Sequence, residues 1–252
     1  MLKTRVIPCL LLHKAGLVKT IRFKNPKYVG DPINAIKIFN DKEVDELVLL
    51  DITASREGRG PAFSLIEEVA GECFMPLAYG GGLRSVQDAR QVLKLGVEKV
   101  IFNSVAWRTP EVLAEFSNEF GAQAVVASID AKRKLFGGYE VVIDNGTRNT
   151  GMDPVEYARR LQDIGVGEIL LTSIDRDGTM KGYEIDLIAR VSSAVNVPVI
   201  ASGGAGSIQD FAAASQAGAA AVAAGSMFVF HGPHRAVLIT YPDRRDLEQA
   251  LT

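Results

Sequence analysis

The sequence is poor in cysteine, in aromatic residues and in long apolar runs. Two cysteines among 252 residues disfavour both a disulfide framework and a thiolate metal site, and they suit a reduced, cytoplasmic protein. The longest weakly apolar stretch, residues 217–230, is too short and too rich in alanine and glycine to span a bilayer. The basic amino terminus lacks a small-residue cleavage pattern, so we expect no signal peptide and a soluble protein.

Neither sign of charge is in excess. The chain has 28 lysines and arginines against 30 aspartates and glutamates, so no overall field attracts nucleic acid or a membrane surface. Hydrophobic residues make up 47% of the chain, which is enough for one large core. We therefore expect a single domain over residues 1–252, with no nucleic-acid or membrane partner.

Short apolar runs that are typical of β-strands recur along the chain. Amphipathic segments that end at glycine lie between them, such as residues 85–96, 153–165 and 207–218. Eight alternating strand and helix units in about 250 residues predict an α/β protein of the TIM-barrel type, (β/α)8, with an open doubly wound sheet as the main alternative. The predicted strands cover residues 5–12, 46–52, 75–81, 99–104, 124–130, 168–174, 197–204 and 220–226.

The chain repeats itself at an offset of 122 residues, nearly half its length. Residues 81–104 align with residues 203–226 without a gap. Identical positions in the first copy include Gly81, Gly82, Ser85, Gln87, Asp88, Gly96 and Ser104. The repeat predicts two half-barrels related by a pseudo-twofold axis. The alternative is that barrel strands simply resemble one another.

Each copy ends one strand with a Gly-Gly pair and the next strand with a small polar residue that precedes a helix. Glycine lets backbone N–H groups approach a phosphate, and a helix N-terminus adds unpaired donors. Two such positions predict a long phosphorylated or nucleotide-linked substrate with an anionic group at each end, or a substrate whose ancestor had such groups. At either position, glycines that only shape a tight turn are the alternative. The predicted phosphate contacts are Gly82, Asn103, Ser104, Gly203, Gly204, Gly225 and Ser226.

Charged residues at the strand starts share faces with the residues at the strand ends. Strand alternation puts Arg5 on the face of Leu11 and Lys99 on the face of Asn103. We expect two cations and two anions to form a ring that closes the lower mouth of the barrel, with charges that snorkel outward at the rim as the alternative. The residues of this four-charge ring are Arg5, Glu46, Lys99 and Glu168.

The connection after the first strand, from His13 to Pro32, is about twenty residues long, well above the usual length of a βα connection. It contains five lysines and arginines but one acidic residue, Asp31. Its length predicts a functional or mobile loop. A solvated run of surface charges is the alternative.

The internal symmetry pairs Leu11, at the end of the first strand, with Asp130, at the end of the fifth. Catalytic groups of TIM barrels lie at the carboxyl ends of the strands, so Asp130 is a predicted general acid or base. A helix cap or a loop-anchoring hydrogen bond is the alternative role. Leucine carries no proton, so this sequence has only half of such an acid–base pair.

Five stretches resemble the HisF family, the cyclase subunit of imidazole glycerol phosphate synthase. They are "DELVLLDITAS", "YGGGLRSVQDA", "ASIDAKR", "GEILLTSIDRDGT" and "VIASGGAG", and the resemblance covers essentially the whole chain. It implies a TIM barrel that takes ammonia from a glutaminase docked at the bottom and uses it at the top without metal or cofactor. The family's two catalytic aspartates match Leu11 and Asp130. Because losing one acid or base typically removes about 10²- to 10⁴-fold of rate, ordinary cyclisation is not expected.

The resemblance also assigns roles that the sequence pattern alone does not. The residues so implied in catalysis are Asp130, Lys19, Asp51 and Asp177. It adds Ser202 to the second phosphate site, makes the four-charge ring an ammonia gate, and places Glu98 and Gln123 against a HisH-like glutaminase. Neither cysteine lies in a nucleophile-elbow pattern, so we expect the ammonia source to be a separate subunit.

Residues 7–40 and 228–242 resemble the branch of this family that serves acetamidino modification of bacterial surface sugars. In that branch the barrel works with a HisH-like glutaminase and an ATP-dependent amidotransferase, which converts an N-acetyl group to an acetamidino group. This function is the leading hypothesis. Three alternatives stay open: a cyclase of histidine biosynthesis in which Asp51 or Asp177 replaces the missing aspartate, a non-catalytic conduit or scaffold, and a phosphosugar isomerase of the same superfamily.

Overall fold

A computed structural model describes residues 4–251, so residues 1–3 and 252 of the predicted domain lie outside the described residues. No helix in the described range is both long and apolar enough to cross a bilayer. The strands are β1 (Arg5–His13), β2 (Gly16–Ile21), β3 (Lys24–Gly30), β4 (Leu47–Asp51), β5 (Leu77–Gly80), β6 (Lys99–Phe102), β7 (Val125–Arg133), β8 (Tyr139–Ile143), β9 (Arg148–Asn149), β10 (Glu168–Ser173), β11 (Val199–Ser202), β12 (Ala221–Ala224), β13 (Phe230–His231) and β14 (Ala236–Val237). The helices are α1 (Pro32–Asp41), α2 (Phe63–Glu72), α3 (Val86–Lys94), α4 (Ser104–Arg108), α5 (Glu111–Phe120), α6 (Pro154–Ile164), α7 (Ile185–Ser192), α8 (Ile208–Gln216), α9 (Ser226–Val229) and α10 (Arg244–Leu251).

Eight of the strands run parallel and close into a barrel. Their order around the barrel is β1, β4, β5, β6, β7, β10, β11 and β12. The pairing of β12 with β1, from Arg5 opposite Ala221 to Pro8 opposite Ala224, closes the ring. The predicted TIM barrel is confirmed, and the open doubly wound sheet is excluded because that alternative has two unpaired edges.

The helices begin and end where the sequence offers capping residues. Asp153 caps α6 by accepting a hydrogen bond from the backbone N–H of Val155, and Gly165 ends this helix in the left-handed conformation. Ser207 and Asp210 form a capping box at the start of α8. With α3, these helices account for the three amphipathic segments that the sequence singles out.

Two apolar layers lie on the two faces of the barrel sheet. The outer core packs strand residues such as Leu10 against the inward faces of the helices, including Phe39 of α1 and Phe116 of α5. The smaller inner cluster consists of Ile7, Cys9, Val48, Ala78, Ile101, Val126, Leu170, Ile200, Ala221 and Ala223. Because successive strand residues alternate between the two layers, a one-residue shift of register would exchange them.

The connection after β1 is a hairpin and not the predicted loop. β2 pairs with β1 and β3 pairs with β2, both antiparallel, so much of residues 13–32 is extended. The two strands were not predicted because β3 is exposed over most of its length and contains Pro26, so it shows no apolar alternation. A functional role of this connection stays a prediction. A second hairpin, β8 with β9, follows β7. Each half-barrel therefore carries a hairpin after its first strand, as the internal symmetry requires.

Candidate active site

A cleft of about 370 Å³ opens at the carboxyl ends of the barrel strands. Inward-facing residues at these ends, among them Leu11 and Ile101, line it together with the following loops. A smaller recess of about 40 Å³ adjoins the cleft, and Leu11, Asp177 and Ser202 line both cavities. The cavities lie at the end of the barrel where this architecture places its catalytic groups.

Asp130 lies in β7 and lines the cleft, although its side chain is nearly buried. Burial raises the pKa of its carboxyl group to about 7. The amide of Asn103 donates a hydrogen bond to Oδ2 at 3.0 Å and opposes this rise, while the carboxyl group of Asp177 adds to it. A carboxyl group with a pKa near neutrality both accepts and donates protons readily, so the geometry suits Asp130 to acid–base chemistry.

Leu11 occupies the position that the internal symmetry pairs with Asp130. It lies in β1 opposite Leu50 of β4 and Val18 of β2, and it lines the cleft with Asp130. Its strand partners are thus apolar, although Lys19, Asp177 and Ser202 line the recess with it, and the leucine side chain can neither hold nor transfer a proton. Of the two strand-end positions that the internal symmetry pairs, only Asp130 can therefore transfer a proton.

Lys19 lies in β2, so it belongs to a strand and not to the predicted mobile loop. Its side chain is buried at the smaller recess, where the ammonium group donates a hydrogen bond to the backbone carbonyl of Cys9. Burial lowers the pKa of Lys19, and the charges of Cys9 and Asp177 oppose this shift. A Cβ at position 225 would lie 2.2 Å from Lys19 Nζ and 3.0 Å from the Cys9 carbonyl oxygen, so a larger residue there would displace the Lys19 ammonium group.

Asp51 anchors a loop. Its Oδ1 accepts hydrogen bonds from the Thr53 backbone N–H and hydroxyl, both at 2.9 Å, and from the Ala54 backbone N–H at 3.0 Å. Arg59 contacts the other carboxylate oxygen at 3.5 Å, and the Asp51 side chain has no exposed surface. This arrangement fixes the chain after β4, and Asp51 also lines the cleft, so its catalytic role stays a prediction.

Asp177 has a different environment. Its carboxylate accepts hydrogen bonds from the Thr20 hydroxyl at 2.9 Å and from the backbone N–H of Phe23 at 3.3 Å, which ties the β2–β3 hairpin to the loop after β10. Burial raises the pKa of Asp177, against the effect of these hydrogen bonds and of Lys19. Because Asp177 also lines both cavities, it is the better placed of the two candidate substitutes.

The predicted phosphate contacts fall into two groups, one at each cavity. Gly82, Asn103 and Ser104 line the cleft, whereas Gly203, Gly204, Gly225 and Ser226 line the recess. The helices α4 and α9, which begin at the two serines, have only five and four residues, so backbone N–H groups contribute more to an anion site here than a helix dipole does. Packing also requires some of these glycines, since a Cβ at Gly204 would lie 2.2 Å from the Gly182 carbonyl oxygen. Phosphate binding thus stays a prediction.

At the opposite end of the barrel the four charged residues meet. Arg5 forms ion pairs with both Glu46 and Glu168, and Lys99 Nζ lies 3.0 Å from Glu46 and 2.9 Å from Glu168. Each charge therefore has two partners of opposite sign, and the alternative of rim charges that snorkel outward is wrong. The inner apolar cluster lies between this four-charge ring and the cleft.

Glu98 and Gln123 lie on the same lower rim, and both are exposed. Glu98 directly precedes β6, and Gln123 lies two residues before the start of β7. Because β6 and β7 are neighbours in the barrel, the two residues lie on one side of the four-charge ring. Their contact with a glutaminase stays a prediction.

One ion pair at the cleft is not predicted from the sequence. Arg108 contacts both carboxylate oxygens of Asp144 at 2.6 Å, and both residues line the cleft. Arg108 follows Ser104 by four residues in α4, so helical periodicity could have placed it on the face of Ser104. Asp144 follows β8 in the second hairpin, which no sequence signal locates beside the cleft.

Comparison with known proteins agrees with this geometry. A profile of the histidine biosynthesis protein family matches residues 5–234. The hisF2 protein of Pseudomonas aeruginosa strain PAO1 is 55% identical over 249 residues, which cover 98% of this chain and 99% of the relative. The hisF3 protein of Vibrio vulnificus strain YJ016 is 47% identical over 253 residues, which cover 100% of this chain and 97% of the relative. Both relatives are named "Putative imidazole glycerol phosphate synthase subunit". The "Imidazole glycerol phosphate synthase subunit HisF" of Alkaliphilus metalliredigens strain QYMF is 47% identical over 232 residues, 92% of each chain.

Proposed function

Because this chain belongs to the HisF family of imidazole glycerol phosphate synthase subunits, we propose that it is the ammonia-receiving subunit of a glutamine amidotransferase. A separate HisH-like glutaminase docks on the lower rim, beside Glu98 and Gln123, and releases ammonia there. The ammonia passes through the barrel to the cleft. In this proposal the final product is an acetamidino group on a bacterial surface sugar, made by an ATP-dependent amidotransferase.

The four-charge ring supports the first step. Four charges that satisfy one another on the inward faces of the strands close the barrel to water and ions, and they open only if their mutual contacts break. The apolar cluster above the ring favours neutral ammonia, because an ammonium ion would lose its hydration there without gaining a partner. Docking of the glutaminase next to the ring supplies the contact that opens it.

In the cleft, two anion sites bind the substrate and Asp130 transfers protons. The two anion sites hold the phosphorylated or nucleotide-linked substrate, one at Gly82 and Ser104 and one at Gly204 and Ser226. Asp130 accepts and returns a proton as ammonia reacts, since its pKa lies near neutrality.

The observation that carries the finer choice of reaction is Leu11. Imidazole formation in the family relies on two aspartates, and here one of the two positions holds a leucine whose strand partners are Leu50 and Val18. Loss of one acid or base removes about 10²- to 10⁴-fold of rate. A barrel that keeps the ring and the anion sites but lacks this aspartate suits delivery of ammonia to another reaction.

A cyclase of histidine biosynthesis is the second candidate, and Asp177 is the observation that favours it. Its carboxyl group lines both cavities and has a raised pKa, so it is placed to take over the missing proton transfer. Under this alternative the protein forms imidazole glycerol phosphate at an ordinary rate in spite of Leu11.

The purified protein, ammonium chloride and the bisphosphate ribulosyl intermediate of histidine biosynthesis separate the two candidates. We expect only trace turnover, and we expect Leu11→Asp to raise it by about 10²-fold or more because the variant restores a proton carrier. Leu11→Asn, which has a similar shape but no titratable group, is the matched control and should stay at the trace level. An ordinary rate without any substitution, or no gain from Leu11→Asp, would contradict the acetamidino proposal.

Asp130→Asn distinguishes a catalytic barrel from a passive conduit. In the complete system of barrel, glutaminase and amidotransferase, glutamine-driven product formation should fall by about 10²-fold or more if Asp130 transfers protons. Unchanged product formation would show that the barrel only conducts ammonia.

A further inference from the structure

Two cations share one aromatic ring beside the recess. Lys27 Nζ lies 5.2 Å from the centroid of the Phe230 ring, and the guanidinium carbon of Arg235 lies 4.6 Å from it. Both distances are within the range of a cation–π contact. Among residues 4–251 neither cation pairs with a carboxylate. Two positive charges that converge without a balancing carboxylate repel each other, so an anion beside them would be stabilised.

The ring joins two hairpins that emerge from neighbouring strands of the barrel. Phe230 begins β13 directly after α9, and Arg235 lies in the turn before β14. Lys27 belongs to β3 of the other hairpin. The strands that precede these hairpins, β12 and β1, pair with each other. Both hairpins therefore rise from the carboxyl ends of adjacent strands, on the side of the barrel that holds the recess.

Two contacts connect these cations to the recess. Lys27 lies opposite Lys19 in the pairing of β3 with β2. Because directly opposite residues of an antiparallel pair lie on the same face, Lys27 shares the face of Lys19, which lines the recess. On the other hairpin, the guanidinium group of Arg235 donates a hydrogen bond to the backbone carbonyl of Gly178 at 2.9 Å, and Gly178 also lines the recess. The two cations thus lie just outside the second predicted anion site.

The recess itself has room for one phosphoryl group. Its volume of about 40 Å³ corresponds to about three water molecules. Among the described residues that line it, Lys19 is the one cation and Asp177 is the one carboxylate, so a large negative charge is not balanced inside. A second phosphoryl group, linked to the first, would have to lie outside the recess, where Lys27 and Arg235 are.

Arg235 also has a donor that lacks an acceptor. Its Nε–H is buried and forms no hydrogen bond with residues 4–251. A buried donor without an acceptor costs free energy, so such groups are uncommon in folded proteins. A small rotation of the guanidinium group towards a phosphoryl oxygen would give this donor an acceptor, since arginine binds phosphate through two adjacent N–H groups. The unpaired donor thus favours an anion rich in oxygen at Arg235.

We propose that Lys27 and Arg235 bind the outer phosphoryl group of a diphosphate ligand whose inner phosphoryl group occupies the recess. The inference rests on the proposed function, because it takes the recess to be the second anion site of the substrate. It narrows the substrate class to compounds with a diphosphate, since a single phosphate in the recess would leave both cations unused. A nucleotide-linked sugar and free pyrophosphate share this chemistry, and the experiment separates these two sources.

The first test is isothermal titration calorimetry of the purified full chain at physiological ionic strength. It compares pyrophosphate with orthophosphate, and UDP with UMP. We expect each diphosphate to bind at least about 10-fold more tightly than its monophosphate, as one added charge-assisted contact predicts. Tighter binding of UDP than of pyrophosphate would support a nucleotide-linked ligand, whereas equal binding would support free pyrophosphate. Equal affinity for the diphosphate and the monophosphate of each pair would overturn the proposal.

The second test uses the variants Lys27→Gln and Arg235→Gln. Each should lower the affinity for both diphosphates about 10-fold and leave that for orthophosphate and UMP unchanged. Lys24→Gln removes the same charge from another exposed position of β3 and is the matched control, which should change none of the four affinities. Equal losses for Lys24→Gln and Lys27→Gln would reduce the effect to net charge and overturn the proposal. Because Lys27 is exposed, its variant stays informative even if Arg235→Gln unfolds the hairpin.

Failure of the proposed function gives a different result. Ser226→Asp places a carboxylate at the recess, so it should weaken binding of all four probes. If it changes none of them, or if none of them binds at millimolar concentration, the recess is not an anion site and both hypotheses are wrong. If Ser226→Asp weakens all four but the chain without substitutions does not prefer diphosphates, only the outer phosphoryl site is wrong.

Discussion

Both ends of the barrel carry buried charged side chains, but the partners of these charges differ between the two ends. At the amino end, each member of the four-charge ring has two partners of opposite sign. At the carboxyl end, Asp130 has an amide as its partner and Lys19 has a backbone carbonyl. The pKa values follow this contrast. Burial alone would lower the pKa of Arg5, but Glu168 and Glu46 raise it, so the ring stabilises its charges.

In the cleft, burial has the opposite outcome. It raises the pKa of Asp130 to about 7 and lowers the pKa of Lys19, so both charged forms are destabilised. Burial of a charge therefore does not by itself mark a reactive site. Burial without a balancing charge does, because it brings pKa values towards the range in which protons are exchanged.

The largest effect on stability should come from the ring. Glu46→Ala leaves Arg5 and Lys99 without one of their two partners in a largely buried setting, and we expect the free energy of unfolding to fall by about 3–5 kcal/mol. Urea denaturation at neutral pH measures this. Glu46→Gln should lose less, since it keeps a polar side chain that accepts hydrogen bonds. A loss below about 1 kcal/mol for the alanine variant would show that the ring is not a cooperative unit.

The cleft should give a smaller effect that depends on pH. Between about pH 4 and pH 7 the carboxyl group of Asp130 is protonated in the folded protein and ionised in the unfolded chain, so stability falls as the pH rises through this window. Asp130→Asn removes the buried ionisable group. It should therefore raise the free energy of unfolding at pH 8 by roughly 1–3 kcal/mol and have almost no effect near pH 4.

Urea denaturation at the two pH values tests this expectation. Asp163→Asn makes the same chemical change at an exposed position of α6, so it serves as the control and should not distinguish the two pH values. If Asp130→Asn destabilised the protein equally at both pH values, burial would not destabilise the ionised carboxylate of Asp130. The proposed difference between the two ends of the barrel would then be contradicted.

The ring could be predicted from the sequence because strand alternation is strictly periodic. Arg5 and Lys99 interrupt apolar inward faces at strand starts, and inward faces converge on the barrel axis whatever the surrounding loops do. The hydrogen-bond partner of Asp130 could not be predicted from the sequence. Asn103 and Asp130 come from neighbouring strand ends, and their hydrogen bond depends on the register between β6 and β7, which no local pattern encodes.

The hairpins show a second limit of the sequence. β3 is stabilised by pairing with β2, and most of its side chains are exposed, so its composition does not differ from that of a charged loop. The segment "KLFGG" shows the opposite case, in which apolar residues are exposed. Leu135 and Phe136 are residue types common in cores, and their exposure follows only from the direction in which the turn between β7 and β8 projects.

The smallest effect should come from an exposed ion pair that matches the ring in chemistry. Glu156 and Arg160 pair across one turn of α6, with side chains 55% and 57% exposed. Glu156→Ala should change the free energy of unfolding by no more than about 0.5 kcal/mol, because water and side-chain entropy offset most of the attraction. It makes the same substitution as Glu46→Ala, so the difference between the two isolates the contribution of burial. Raising the salt concentration should reduce the small effect at Glu156 and leave most of the large effect at Glu46, because buried charges are screened less. Equal losses at both positions would mean that burial of the ring is not what distinguishes the two ends of this barrel.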